Sequence, residues 1–280
     1  LEIKSINVKN GKKEFVEVVK TNHGSVISGN PRSGYGLIFS HTGTNSGTKW
    51  VDTVYQILHA KNSDQLIESL EEWTEPVNNF VFADIRGKIG YKLRGKIPVR
   101  NSDNHKGIVS GWDGNHDWKN FIPYYEMPSS VNPNVGYIVT CNQRVVGPDF
   151  PYYIGDDFRP GYRASRIITR ILELPEAEAT VENMSQIHSD RLSIPASILF
   201  KKLLEMDLFS KSQNDLEKLI KQWDFVMSPD SKVATLYSMI RKTLIEESLN
   251  MIFGNLIDKI DSSEFSRAYD FIEASIYSQL

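Results

Sequence analysis

The sequence predicts an α+β fold in which strands come first and helices follow. Residues 1–40 contain short runs of β-branched and aromatic residues that are separated by turn residues. Residues 76–100 then read as a strand, a turn and a second strand. After about Pro160 the apolar residues recur with the spacing of an amphipathic helix. We therefore predict a strand-rich part over residues 1–150 and a helical subdomain over residues 151–280.

The first part is predicted to open with a hairpin and two further strands. Apolar residues within 3–8 face a second run within 15–19, across an Asn-Gly pair at positions 10–11 that favours a two-residue turn. Residues 23–28 and 35–40 read as the next strands, because Pro, Arg, Ser and Gly form a turn between them.

Two helices are predicted between these strands and the later hairpin. Residues 51–60 and 64–73 have apolar side chains at helical spacing, and Ser63 is the candidate N-cap of the second helix. After the hairpin, residues 110–134 read as a long irregular stretch and residues 136–140 as a short apolar strand. The helical subdomain is predicted to contain six helices, at residues 162–174, 181–189, 194–208, 214–226, 231–253 and 264–278.

The hairpin at residues 76–100, PVNNFVFADIRGKIGYKLRGKIPVR, carries a polar amide at the start of its first strand. An Asn held there, such as Asn79, can aim its side-chain N–H groups at one point in space, and stabilisation of an oxyanion requires such a donor. The alternative is an Asn that caps the entry of the hairpin through its own backbone hydrogen bonds. The neighbouring Asn78 offers a second amide, so the residues of the hairpin alone leave the choice open.

This hairpin and three later segments resemble the penicillin amidase family. Its members usually show a Pro-x-Gln-Asn-aromatic-x-aromatic-Ala-Asp pattern that continues to Gly-x-Ile-Gly-Tyr and ends in Pro-x-Arg. Asn78 stands where the family usually has Gln, and further blocks match in order at residues 111–128 (GWDGNHDWKNFIPYYEMP), 132–142 and 149–167. The positions of the hairpin that match the family pattern are Asn79, Phe82, Ala83, Asp84, Gly87, Ile89, Gly90, Tyr91, Gly95, Pro98 and Arg100.

The resemblance implies a fold, an activity and a set of partners. The fold would be part of the four-layer αββα sandwich of N-terminal nucleophile (Ntn) hydrolases, with this chain as an internal segment of the β chain. The activity would be hydrolysis of linear amide bonds, in the acyl side chains of β-lactams or in other N-acyl compounds such as acyl-homoserine lactones. The partners would be the remaining α- and β-chain segments of the same precursor, and the location would be secreted or periplasmic. The alternative, from a different class, is a non-catalytic binding or structural module that keeps the family scaffold.

Two candidate site residues follow from the resemblance. Asn79 would donate a hydrogen bond to the oxyanion of the tetrahedral intermediate. Arg100, with its fixed fork of donors, would orient the reacting groups. Without the resemblance, Arg100 reads as a surface side chain that pairs with Asp103.

The nucleophile of the family has no clear counterpart in this sequence. Family members use the α-amino group and the hydroxyl or thiol of an N-terminal Ser, Thr or Cys, whereas residue 1 here is Leu. Thr44 lies in the wrong order relative to the family's blocks, Ser25 has no implied role, and Cys141 reads as a small buried thiol. We therefore expect the nucleophile to lie outside these 280 residues, and the chain alone to be inactive.

Composition argues against several other classes of function. The formal net charge is −3 and the basic residues form no stripe, which disfavours a nucleic-acid partner. No apolar run approaches the roughly 18 residues of a membrane-spanning helix. The segment from Arg159 to Arg170 reads as an amphipathic helix with solvated arginines rather than as a phosphate-binding surface. Strand edges without neighbours predict self-association of this segment.

No cofactor is expected from the sequence. The six histidines show no metal-ligand spacing. Asn104, Asp113, Asn115 and Asp117 make an oxygen-rich stretch of the kind that binds calcium, but turns and tryptophans separate them and favour a role in shaping a loop. The family resemblance allows a calcium ion in the full-length protein, with ligands that the sequence does not identify.

Overall fold

The computed structural model describes residues 1–45, 47–105, 107–175, 179–206, 214–259, 272–273 and 275. These residues form helices and antiparallel sheets, in agreement with the predicted α+β class. The chain divides into two compact units, residues 1–140 with 145–157 and residues 141–144 with 158–280. The predicted boundary at residue 150 stays a prediction.

The described part of the first unit contains eight strands. They are β1 Glu2–Ile6, β2 Glu14–Val18, β3 Lys20–Thr21, β4 Gly24–Gly29, β5 Gly36–Phe39, β6 Asn78–Ala83, β7 Ile89–Arg94 and β8 Ser129–Val131. β1 pairs with β2, while β3, β4 and β5 form a second sheet and β6, β7 and β8 form a third, each in that order. The helices of this unit are α1 Thr42–Asn45, α2 Trp50–His59 and α3 Ser63–Ser69, with short 3₁₀ helices at Pro31–Ser33, Ser102–His105 and Tyr124–Glu126.

The predicted first hairpin is present, but its connection is longer than two residues. The ladder between β1 and β2 runs as far as Ile6 and Glu14, which leaves residues 7–13 as the loop. The Asn-Gly pair lies inside this loop, where the backbone N–H of Gly11 donates to the carbonyl oxygen of Val8 at 3.1 Å. The two-residue turn was therefore a wrong prediction, because the strands separate before they reach it.

The β1–β2 hairpin exposes apolar side chains on this unit. Ile3 is 63% exposed and Phe15 is 67% exposed. Apolar surface of this kind favours contact with another protein surface. The predicted self-association through these strands stays a prediction with this physical basis.

The helix α3 is capped by a different residue from the one predicted. Asn62 is the N-cap, since its side-chain oxygen accepts a hydrogen bond from the backbone N–H of Gln65 at 3.0 Å. Ser63 instead donates its backbone N–H and its hydroxyl to the carboxylate of Asp84, at 3.1 and 2.8 Å. Ser63 was wrongly predicted as the cap because its partner lies 21 positions away, outside the helix.

The third sheet has β7 as its central strand. β7 pairs with β6, where Asn79 lies opposite Leu93, and with β8, where Tyr91 lies opposite Ser130. The four residues Gly90 to Leu93 are all buried, in a strand that has a paired neighbour on each edge.

The strand predicted at residues 136–140 is wrong. Those residues carry no strand ladder in the structure, and the partner of β7 is β8, from the stretch that was predicted to be irregular. Ile138 nevertheless packs against the core of the first unit, which explains its apolar character without strand pairing. That core consists of the buried residues Tyr91, Leu93, Ile97, Ile122 and Met127.

The second unit is helical, as predicted. Its described helices are α4 Tyr162–Leu172, α5 Val181–His188, α6 Ile194–Glu205, α7 Asn214–Gln222 and α8 Lys232–Phe253, followed by a 3₁₀ helix at Gly254–Lys259. The predicted helix at residues 264–278 lies outside the described residues, apart from 272, 273 and 275. The core of this unit contains Ala196, Leu199, Phe200, Ile220, Val233 and Tyr237. None of the helices in the described ranges is both long enough and apolar enough to cross a lipid bilayer.

The arginines of α4 are paired rather than solvated. Arg166 donates to the Asp190 carboxylate through Nε and through Nη2, the latter at 2.6 Å, and Arg170 lies 3.3 Å from the same carboxylate. The hydrogen bond from Arg166 lowers the pKa of Asp190 below its ordinary value, although burial of the carboxylate acts in the opposite direction. The expectation of solvated side chains was therefore wrong for these two residues.

We predict that Gly90→Ala destabilises the first unit. Gly90 lies opposite Phe82 in the β6–β7 ladder, and a Cβ atom at position 90 would overlap the Phe82 ring. Overpacking of this kind typically costs about 1 to 3 kcal/mol. Urea unfolding followed by circular dichroism measures the loss. Gly147→Ala is the matched control, because a Cβ there meets no atom within 4 Å; equal stability losses in the two variants would contradict the prediction.

Candidate active site

The pairing of β6 with β7 decides which polar side chains share a face. Asn79 lies opposite Leu93, and Tyr91 is two residues before Leu93 on the same strand. Side chains two residues apart on a strand point to the same side of the sheet, so Asn79 and Tyr91 share a face. They are diagonal neighbours, about 7 to 8 Å apart and somewhat closer between their Cβ atoms, a distance that a tyrosine side chain can bridge.

A hydrogen bond joins these two side chains. The Tyr91 hydroxyl donates to Oδ1 of Asn79 at 2.7 Å. Tyr91 is only 7% exposed, and its burial raises the pKa of the phenol well above its usual value. The phenol is therefore neutral at ordinary pH and has a proton to donate, and the atom that it contacts on Asn79 is the amide oxygen.

The amide nitrogen of Asn79 is the part of the side chain that the Tyr91 hydrogen bond leaves available. Asn79 is half-buried, and within the part of the chain that the structure describes its Nδ2 has no hydrogen-bond partner. Two N–H groups are thus available at a point held by a buried residue. Such a group can donate to a developing negative charge without reorganising during the reaction.

The neighbouring amide, Asn78, is held on the opposite face for a different purpose. Its Oδ1 accepts a hydrogen bond from Nε of Arg94, the residue directly across the ladder, at 2.8 Å. The guanidinium carbon of Arg94 lies 3.7 Å from the Trp73 ring centre and 4.8 Å from that of Phe80. This arrangement is a cation–π stack on an exposed edge, and it makes Asn78 part of the packing of Arg94.

Asp84 closes the hairpin and fastens it to α3. Its carboxylate accepts from the backbone N–H groups of Arg86 and Lys88, at 2.9 and 3.2 Å, in addition to both donors of Ser63. The Ser63 hydroxyl is the largest cause that lowers the pKa of Asp84, to about 2, followed by the backbone donors. The ionised carboxylate therefore fixes both the turn and the position of α3.

Lys92 anchors the other end of the sheet from within the core. It is 4% exposed, and its Nζ donates to the carbonyl oxygens of Tyr124 and Met127 at 2.7 and 3.1 Å. The ammonium group also lies 4.3 Å from the centre of the Tyr124 ring. Burial lowers the pKa of Lys92. These contacts hold residues 124–127 against β7.

Arg100 lies on the wall of a cavity of about 800 Å³ in the first unit. Its guanidinium carbon is 5.4 Å from the centre of the Tyr153 ring, and its buried Nε has no hydrogen-bond partner among the described residues. The side chains that line this cavity do not include Asn79, so the structure does not bring the two predicted site residues into one pocket. Other lining residues are His23, Tyr35, Ser40, Trp112, His116 and Trp118.

The internal hydroxyl and thiol candidates lie within strand, helix and loop segments of the chain. The Thr44 hydroxyl donates to the carbonyl oxygen of His41 at 2.8 Å, so it is not aimed at a base. Ser25 lies in the β4 ladder, opposite Phe39. Cys141 is half-buried, and its carbonyl oxygen accepts from Arg163 at 2.7 Å.

The oxygen-rich stretch is engaged in loop hydrogen bonds. Asp113 accepts from the backbone N–H of Asn115 at 2.9 Å, and Asn104 bonds to Nδ1 of His116 at 2.9 Å. Asp117 lies 3.5 Å from Nδ1 of His23. Within the described ranges, no three His, Cys, Asp or Glu side chains come together as a metal site would require.

Two residues of the site were not predicted. Tyr91 was matched to the family pattern without a role and Arg94 was given none, although Tyr91 contacts Asn79 and Arg94 contacts Asn78. The signal that could have found them is the hairpin register, since Asn78 and Arg94 form a direct cross-strand pair once the turn is placed at residues 84–88.

The amino-acid sequence is similar to those of known acylases. A sequence profile described as penicillin amidase matches residues 2–277. The chain is 32% identical over 240 residues to the penicillin acylase 2 proenzyme of Pseudomonas sp. strain SE83, covering 85% of this chain and 31% of that protein. It is 29% identical over 136 residues to the acyl-homoserine lactone acylase QuiP of Pseudomonas aeruginosa, covering 49% of this chain and 16% of that protein. It is 27% identical over 178 residues to the penicillin G acylase of Escherichia coli, covering 61% of this chain and 20% of that protein.

A solved structure supports the fold. The thermostable penicillin G acylase from Alcaligenes faecalis matches with a TM-score of 0.68 at 17% identity, covering 95% of this chain and 48% of that chain. At this identity the likeness concerns the fold, and it confirms the predicted Ntn-hydrolase architecture. The chain spans less than a third of the length of the three acylases matched by sequence.

We predict that Asp84 makes the stability of the hairpin depend on pH between about 4 and 2. Its folded-state pKa is lowered to about 2 from 3.8, so its stabilising effect is complete above the higher value and is lost as pH falls through the lower one. Asp84→Asn should unfold at lower urea concentration than wild type at pH 7, and the difference should shrink as the pH falls from 4 towards 2. Asp149→Asn is the control, because Asp149 is exposed. A difference that stays constant with pH would contradict the assignment.

Proposed function

This chain belongs to the penicillin amidase family, and on that premise we propose that the protein containing it hydrolyses linear amide bonds of N-acyl compounds. The similarity to proteins named penicillin acylase supports the acyl side chains of β-lactams as candidate substrates. The similarity to a protein named acyl-homoserine lactone acylase supports N-acyl-homoserine lactones as the other candidates. Both substrate groups present the same reacting bond, between an acyl carbon and a nitrogen.

The observation that carries this proposal is the free amide nitrogen of Asn79. Hydrolysis of an amide passes through a tetrahedral intermediate in which the former carbonyl oxygen is negatively charged. Nδ2 of Asn79 offers N–H groups that have no partner among the described residues, while Oδ1 is held by Tyr91. In this proposal Asn79 donates to the oxyanion, and Asn78 contributes packing through Arg94.

The nucleophile is proposed to lie outside residues 1–280. The family resemblance implies an N-terminal Ser, Thr or Cys whose own amine acts as the base. The Thr44 hydroxyl donates to a backbone carbonyl rather than to a base, and Ser25 lies inside a strand ladder rather than at a free amino terminus. The peptide segment that carries the nucleophile would then approach Asn79 from another part of the full-length protein.

Arg100 is proposed to orient the reacting groups from the cavity wall. Its Nε lacks a hydrogen-bond partner among the described residues, and burial of an unsatisfied donor is costly unless a further group supplies an acceptor. A planar guanidinium can supply two parallel hydrogen bonds to a carboxylate or a carbonyl. This role does not require Arg100 to touch Asn79.

In the full-length protein, Asn79→Ala should lower kcat by on the order of 10² to 10³, with a much smaller effect on KM. The reason is that the donor acts on charge that develops only after binding. Steady-state hydrolysis of an N-acyl chromogenic amide measures both constants. Asn78→Ala is the matched control and should be close to wild type in kcat, because Asn78 is held by Arg94 on the other face. If the two variants exchanged their effects, the assignment of the donor would be off by one residue.

Residues 1–280 expressed alone should not hydrolyse an N-acyl chromogenic amide. The proposed nucleophile and its amine base are both missing from this segment, and an oxyanion donor does not replace them. Thr44→Ala and Cys141→Ala test the internal candidates. Turnover by the segment that disappears in either variant would contradict the placement of the nucleophile outside it.

A further inference from the structure

We propose that Tyr91 is a positioning residue that determines which end of the Asn79 side-chain amide faces the reacting oxygen. The inference rests on the proposed function, in which Asn79 is the oxyanion donor. It concerns a residue that does not itself touch the substrate and acts through its hydrogen bond to Asn79.

The physical problem is the near symmetry of a side-chain amide. The terminal torsion of Asn is broad, so a rotation of about 180° exchanges Oδ1 and Nδ2 at little cost in shape. One orientation presents N–H donors to an oxyanion, while the other presents lone pairs, which would repel it. An Asn in this position therefore needs a neighbour that distinguishes oxygen from nitrogen.

Tyr91 has the properties that this selection requires. Its hydroxyl donates to Oδ1 of Asn79 at 2.7 Å, and no other partner for that hydroxyl occurs among the described residues. Its ring belongs to the buried core with Leu93 and Ile97, so the hydroxyl is held in one place. Because burial keeps the phenol protonated, the selection does not depend on pH in the range where an amidase works.

The flipped amide would lose this hydrogen bond. A neutral phenol has one O–H donor, and Nδ2 brings only donors, so the hydroxyl would have to rotate its proton away and accept instead. The buried hydroxyl would then be left without an acceptor for its own proton among the described residues, a state that carries the penalty of an unsatisfied buried donor. Tyr91 thus favours the orientation in which Nδ2 is free.

Tyr124 provides a matched control for the loss of a buried hydroxyl. Its hydroxyl also donates a hydrogen bond, to the carbonyl oxygen of Ile67 at 2.5 Å, and burial likewise raises the pKa of its phenol well above the usual value. Tyr124→Phe therefore removes the same atom from a comparable environment without touching Asn79. Any effect common to the two variants reflects stability rather than positioning.

The test is made in the full-length protein with an N-acyl chromogenic amide. Tyr91→Phe leaves the Asn79 amide in place but no longer fixes its orientation, so its effect should be smaller than that of Asn79→Ala. We expect kcat to fall about 10-fold and KM to stay within about 2-fold of wild type. Tyr124→Phe should retain wild-type kcat. Thermal unfolding of both variants is measured alongside.

A double-mutant cycle separates this inference from the proposed function. In the Asn79→Ala background, Tyr91→Phe should cause no further loss of kcat, because there is no amide left to orient. If Asn79→Ala has wild-type kcat, the proposed oxyanion role fails. If Asn79→Ala is slow but Tyr91→Phe is unimpaired, or reduces kcat equally in both backgrounds, the positioning role alone is overturned.

A measurement on the wild-type protein covers the case in which Tyr91→Phe does not fold. The order parameter of the Asn79 side-chain Nδ2H₂ group, measured by NMR with residue-specific ¹⁵N labelling, reports how firmly the amide is held. A value near the roughly 0.85 of rigid backbone supports the inference, and a value below about 0.6 contradicts it.

Discussion

The antiparallel register of β6 and β7 is the constraint on which the site depends. Because side chains alternate across a strand, pairing Asn79 with Leu93 places Tyr91 on the same face as Asn79 and places Arg94 with Asn78 on the other. A slip of one residue would send each amide to the wrong face. Asp84 resists such a slip at the turn, since its carboxylate binds both sides of the turn and the start of α3.

The two faces of this hairpin carry side chains with different roles. On one face, charged side chains are used as anchors: Lys92 holds residues 124–127 through backbone carbonyls, and Arg94 stacks on aromatic rings. On the other face, one neutral phenol sits beside one neutral amide, Tyr91 beside Asn79. The N–H groups of Asn79 can then donate to the negative charge that develops on the reacting oxygen. The anchoring cations stabilise the sheet that holds this pair.

The sequence predicted the elements that depend on local pattern. The hairpin at residues 76–100 was found because alternating apolar residues flank a turn, and Asn79 was selected because its surroundings resemble one family. The strand at residues 136–140 was wrong because apolar composition reports packing rather than ladder pairing, and Ile138 packs partly buried against the core without a ladder. Ser63 was misplaced as a cap because its partner, Asp84, is distant in sequence. Tyr91 was missed for a related reason, since a diagonal contact becomes visible only after the register is known.

The central claim is that Nδ2 of Asn79 is the group that meets the charged oxygen of the intermediate. A crystal structure of the full-length protein with a tetrahedral phosphonate or boronate analogue bound at its nucleophile tests this directly. The account predicts an analogue oxygen about 2.7 to 3.1 Å from Nδ2 of Asn79, with the Tyr91 hydroxyl still bonded to Oδ1. An analogue whose oxygen is bound by Asn78, or that lies beyond hydrogen-bond distance of both amides, would contradict it.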